Sequence, residues 1–156
     1  MNGKRTNRPA EILVVSGDGS IRRALTDCFE KHGHTVTSLD TVEEASGMLQ
    51  AEPAALVIVH LASTESDTSA AQIIKRLRRQ APATELILVA TDISEEAATE
   101  AVKAGAFDCV SGVFNEERVF EKAGRALEHR QMREELNNLR QHVAMSYGFD
   151  NIVGIS

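Results

Sequence analysis

The sequence predicts an α/β fold: a doubly wound, five-stranded parallel sheet with an extended helix at its C-terminal end. Three observations carry this. Short apolar runs alternate with segments of helical period, the pattern of strands whose crossovers are helices. Leu56-Val57-Ile58-Val59 is continuously apolar rather than alternating, as in a central strand buried on both faces. From Glu116 to about Met145 the chain holds no proline and, apart from Gly124, no glycine, so a single long helix can run there.

Taken in order, Ile12-Leu13-Val14-Val15 is too short for a buried helix and leads into the turn Ser16-Gly17-Asp18-Gly19. Ile21, Ala24, Leu25, Cys28 and Phe29 then form one apolar stripe of helical spacing, ended by Gly33. Val36 to Leu39 is a weaker strand. Asp40 or Thr41 can cap a short helix carrying Ala45, Met48 and Leu49. After the central strand comes His60, then a polar stretch through Ser69 that is expected to be a mobile loop. Ile73, Ile74 and Leu77 supply the buried face of a third helix, with Lys75, Arg76, Arg78 and Arg79 on its solvated side. Leu86 to Val89 is a fourth strand, Ser94 opens a helix that ends at Gly105, and Cys109-Val110 is a short fifth strand. With right-handed crossovers this becomes a flavodoxin-like sheet of order 2-1-3-4-5. Its ligand sites are expected at the C-terminal strand ends, near Ser16, His60, Ala90 and Ser111-Gly112.

The 156 residues, 42% of them hydrophobic, suit one domain with a short appendage. A net charge of −6 without tryptophan, with Lys4, Arg5 and Arg8 read as a solvated tail and no broad basic surface, argues against direct nucleic-acid binding. Cys28 and Cys109 lack metal-ligand spacing, so neither a disulfide framework nor a zinc site is expected, and a reducing cytoplasm fits. No apolar run approaches the roughly 20 residues a membrane span needs, and the N-terminus does not read as a signal peptide.

Three segments carry a resemblance. Glu11-Ile12-Leu13-Val14-Val15, Ile21-Arg22-Arg23-Ala24-Leu25 and Ala101-Val102-Lys103-Ala104-Gly105-Ala106-Phe107-Asp108 resemble the receiver domain of bacterial response regulators, across about residues 10–126. Phe149-Asp150-Asn151-Ile152-Val153-Gly154-Ile155-Ser156 is similar to the start of the AAA+ ATPase domain in sigma-54-dependent, nitrogen-regulator-type activators. The expected organisation is a disordered tail over 1–9, a receiver-like domain over 10–126, a linker helix or coiled coil over 127–146, and the start of a truncated AAA+ domain over 147–156.

The resemblance implies a phosphoryl switch. That chemistry needs a carboxylate nucleophile, oxygen ligands for magnesium, a cation for the phosphoryl oxygens and a hydroxyl to hold the product. At the corresponding positions stand His60 for the nucleophile, Ser16-Gly17 for the acidic pair, Ala90 for the hydroxyl and Gly112-Val113 for the lysine-proline pair. Only Asp18 remains of the acidic cluster, and Cys109 occupies the switch-aromatic position. Thr91 is expected to point away from the pocket, because adjacent strand residues face opposite ways. The reading is a degenerate, non-enzymatic receiver with no cofactor or metal. His60 is expected as a neutral imidazole bonded to a backbone carbonyl or to Asp18; a protonation switch, a small-ligand contact and histidine phosphorylation are the other readings. Cys109 is expected as a small hydrophobe, with redox sensing as the alternative.

Beyond the domain, Met132, Leu136, Leu139 and Val143 recur at spacings of four, three and four, a heptad seam. With Leu136 and Val143 at a and Met132 and Leu139 at d, Glu128 and Glu135 fall at g and Arg133 and Arg140 at e. A parallel coil would then pair Glu128 with Arg133 and Glu135 with Arg140, while His129 at a weakens the seam. A homodimer is expected, assisted, as the resemblance implies, by the face of the fourth helix, fifth strand and fifth helix. The downstream AAA+ domain is the further expected partner, with another protein possible.

Overall fold

Strict alternation along parallel strands sorts the apolar side chains into two layers, one on each face of the sheet. The computed structural model describes residues 9–62 and 66–155, with side chains for 9–62 and 69–141. The strands are β1 (Glu11–Val15), β2 (Thr35–Leu39), β3 (Leu56–Leu61), β4 (Glu85–Ala90) and β5 (Asp108–Ser111). The helices are α1 (Gly19–Lys31), α2 (Val42–Ala51), α3 (Ser66–Gln80), α4 (Glu95–Ala104) and α5 (Glu116–Ile155). All paired strands are parallel, in the order β2-β1-β3-β4-β5. Leu13, Val15, Val57, Val59, Leu86 and Leu88 pack under α2, α3 and α4 against Leu49, Ile74 and Leu77. Ile12, Val14, Leu56, Ile58, Ile87 and Val89 pack under α1 and α5 against Leu25, Phe29, Val119 and Ala123. β3 and β4 are buried at every position, which is why their sequences are apolar runs rather than alternating ones.

Local chemistry sets the helix ends. Asp18 caps α1 by accepting from the N–H groups of Ser20 and Ile21. Thr41, not Asp40, caps α2, and Glu44 completes a capping box. Ser94 caps α4, and Gly105 ends it at φ 134°, where a Cβ would lie 2.9 Å from Arg78 Nε.

Several expectations are corrected. Residues 66–69 belong to α3 rather than to a loop, while 63–65 lie outside the described residues, as do Lys4, Arg5 and Arg8. Met48 is 40% exposed and Ser46 takes the inward position on α2. Arg78 is not a solvated charge: its guanidinium donates to the carbonyls of Pro82, Thr84 and Gly105, tying the ends of α3 and α4 to the start of β4. The helix expected to end near residue 146 continues to Ile155. No proline interrupts it, and a single glycine such as Gly148 costs a helix only about 1 kcal/mol relative to alanine.

His34 closes the N-terminal edge of the sheet. It is buried, and its Nδ1 accepts the N–H of Ala10 at 3.1 Å, so the native ring is neutral. Burial, reinforced by neighbouring His32, lowers its pKa from 6.5. The unfolded chain therefore takes up the proton first, and the stability that His34 contributes above pH 6.5 is lost as pH falls through the lowered native value. Urea unfolding at pH 7.5 and pH 5.5 is expected to show a smaller loss of stability on acidification in His34→Gln than in the parent chain.

Candidate functional site

Strand register assembles the floor of a cleft. β1 pairs with β3 through Val15 opposite Val59, so the next residues, Ser16 and His60, lie side by side where the chain crosses from one half of the sheet to the other. Ser16 continues the inward face of Ile12 and Val14, and His60 that of Leu56 and Ile58. The two side chains meet at 2.9 Å, Ser16 Oγ to His60 Nδ1, and both are buried. Ser16 Oγ also accepts the N–H of Asp18 at 2.9 Å. The imidazole Nδ1 thus meets the serine hydroxyl, while the Asp18 carboxylate read from the sequence as a partner is turned to the first turn of α1.

Above this floor the cleft has a volume of about 960 Å³. Its apolar walls include Ile21, Val42 and Ile73, and its rim is stitched by two ion pairs. Arg22 bonds the carbonyl of Ser16 and pairs with Asp40 at 2.8 Å. Arg76 on α3 pairs with Glu43 on α2 at 3.4 Å. Among the described residues, three carboxylates line the cleft and each has a partner: Asp18 accepts from backbone N–H groups, Asp40 pairs with Arg22 and Glu43 with Arg76. Magnesium dehydrates reluctantly and binds through carboxylate oxygens, and among the described residues of the lining each carboxylate already has another partner.

Of the residues expected in the pocket, the structure brings Ser16, Gly17, Asp18 and His60 together. Ala90 and Gly112 are not among the lining residues. Ala90 is fully buried opposite Leu61, on the α2–α4 side of the sheet, and Gly112 sits beyond β5 at φ 94°. Thr91, expected to point away, lines the cleft instead. The alternation argument holds, but His60 shares the face of Val89, so the residue two positions past Val89 is the one turned to it. Cys109 is half-buried against the α2–α4 layer, with its N–H bonded to Asp108 Oδ1.

The linker residues divide into two groups. Met132, Leu136 and Leu139 are 63%, 46% and 59% exposed, and every side chain from Glu134 to Gln141 is exposed, so α5 stands clear of the domain there. The side chain of Val143 lies outside the described residues. Glu128, Glu135 and Arg140 are exposed. Arg133 is not available in the same way: it lies 3.2 Å from Glu85 and donates to the carbonyl of Ala83. His129, placed in the seam from the sequence, meets Glu85 at 2.9 Å and packs on Phe107. Glu85 was not singled out by sequence. A carboxylate opening an apolar strand was the available signal, since a buried acid requires cationic partners.

Sheet order and cleft position together define a flavodoxin-like α/β domain with its site at the switch point of the sheet. The chain belongs to the response regulator receiver domain family, which matches residues 12–123. The alginate biosynthesis transcriptional regulatory protein AlgB of Pseudomonas aeruginosa is 25% identical over 138 residues, covering 88% of this chain and 30% of that protein. Among solved structures, NtrX from Brucella abortus in complex with ADP has a TM-score of 0.76 at 23% identity, over 88% of this chain and 30% of that one. The beryllofluoride-activated NtrC4 receiver domain dimer has a TM-score of 0.68 at 22% identity, over 77% of this chain and 98% of that one. The chain spans about three-tenths of the length of the curated relatives it matches.

Burial, with a smaller contribution from Asp108, pushes the Cys109 thiol up to about 11. At neutral pH roughly one molecule in ten thousand then carries the reactive thiolate. Alkylation of native protein at pH 7.4 is expected to be far slower at Cys109 than at a free cysteine; labelling at the free-thiol rate would restore the redox reading.

Proposed function

We propose that this chain is the regulatory receiver of a sigma-54-type transcription activator whose switching does not use aspartyl phosphate at the end of β3, and that it acts as a cytoplasmic binding and assembly module rather than an enzyme. The observation that carries this is the Ser16–His60 pair. An imidazole bonded to a buried hydroxyl sits where a receiver's chemistry requires a carboxylate beside a magnesium ion. The committed carboxylates of the cleft support the same reading. The receiver body then serves to hold α5, and α5 presents Met132, Leu136 and Leu139 to a second copy. The pairing of two such helices sets the geometry offered to the ATPase domain that would follow. The name of AlgB as a transcriptional regulatory protein and the dimeric state of the NtrC4 receiver are consistent with this.

A second reading rests on the size of the cleft, which is within the roughly 300–1,000 Å³ of small-molecule sites. In that case a ligand above His60 replaces phosphorylation as the input. A thermal shift induced by a metabolite, and removed by His60→Ala, would favour it.

Solution mass tests the first reading. The chain is expected to be dimeric at micromolar concentration, and the double variant Leu136→Asp, Leu139→Asp monomeric. Magnesium with beryllofluoride or acetyl phosphate is expected to leave the mass of the parent unchanged and to add no phosphate. Stable phosphate incorporation that changes the mass would sink the proposal.

A further inference from the structure

The seam of α5 changes chemistry abruptly at Met132. Continued toward the domain at the same alternating spacings, it runs through His129, Arg125, Lys122 and Arg118, all basic side chains. Most of them are already engaged within the chain. Arg118 donates to the carbonyl of Ser111, Lys122 pairs with Asp108 at 2.8 Å, and His129 meets Glu85 at 2.9 Å. Just past His129, Arg130 and Arg133 both donate to the carbonyl of Ala83, and Arg133 also reaches Glu85. Glu85 is buried at the first position of β4, so this cluster ties α5 to its own domain just before the run of exposed side chains that starts at Glu134. In a parallel two-fold coil each seam residue faces its own copy. Arg118 and Arg125 would therefore meet Arg118 and Arg125, a like-charge contact that costs rather than stabilises.

We infer that the grip of Glu85 and the Ala83 carbonyl on His129, Arg130 and Arg133 fixes where α5 leaves its domain, and so confines the second copy to the stripe that begins at Met132, with the receiver bodies held apart along Arg118 and Arg125. This rests on the dimeric reading given above and specifies its interface. It also removes the first of the two inter-chain pairs read from the sequence, because Arg133 is held within its own chain by a buried acid and is not free for Glu128 of a partner. Glu135 and Arg140 of the second pair are both exposed.

The test is symmetric disulfide cross-linking of single cysteines placed at seam positions of the full chain, in a background with Cys28→Ala and Cys109→Ser. Leu139→Cys is expected to form dimers at least tenfold faster than Arg125→Cys. Comparable rates would overturn the confinement while leaving the dimer intact; a monomer at every concentration, with no cross-link at either position, would overturn this inference together with the reading beneath it. The grip is read separately by hydrogen exchange in Glu85→Gln, a near-isosteric change. Amides of residues 127–134 are expected to exchange at least tenfold faster than in the parent, while those of β3 are unchanged. Equal exchange across 127–134 would show that Glu85 does not hold the helix.

Discussion

Burial of β3 and β4 on both faces is the constraint from which the rest of this molecule follows. A strand covered on both sides has no solvated position at which to place a polar residue, so each polar group at its ends must be satisfied within the protein. His60, near the C-terminal end of β3, is met by the Ser16 hydroxyl. Glu85, at the opposite end of the sheet, is met by the His129 imidazole and the Arg133 guanidinium of α5. The cleft and the linker attachment are thus two answers to one problem, posed at opposite ends of neighbouring strands.

The two ends differ in what they leave free. At the cleft, the ion pairs Arg22–Asp40 and Arg76–Glu43 lie on the rim with partners substantially exposed, so they hold loops in place at little energetic consequence. At the start of β4 the acceptor is 4% exposed in its side chain, and separating it from the Arg133 guanidinium would leave a charge in a low-dielectric setting. The helix attachment is therefore the stiffer of the two regions, and the cleft rim the more readily deformed.

Much of the architecture was legible because it depends on periodicity. The two-faced burial of Leu56 to Val59, the order of elements and the Ser94 cap all follow from residue type and spacing. The cleft was legible in part: Ser16 and His60 fall at the ends of strands recognisable from their apolar runs. That Thr91 rather than Ala90 joins them was not, because it depends on which face of β4 shares a side with His60, and register between strands joined by a helical crossover is not encoded locally. The partners of Glu85, and of Arg78 with its three carbonyls, lie outside any local pattern for the same reason. A run of arginines on a helix looks identical in sequence whether it is solvated or is satisfying backbone carbonyls across the fold.

One consequence of the layering concerns synthesis. The face of the sheet lined by Ile12, Val14, Ile58 and Ile87 is covered by α1, near the start of the chain, and by Val119, Ala123 and Ala126 of α5, roughly a hundred residues later. The opposite face is covered by α2, α3 and α4, all of which emerge before α5. During translation one side of the sheet is therefore roofed while the other still shows apolar strand surface to the surroundings. The interval before α5 arrives is when a nascent chain of this topology is most exposed to chaperones and to association with its neighbours.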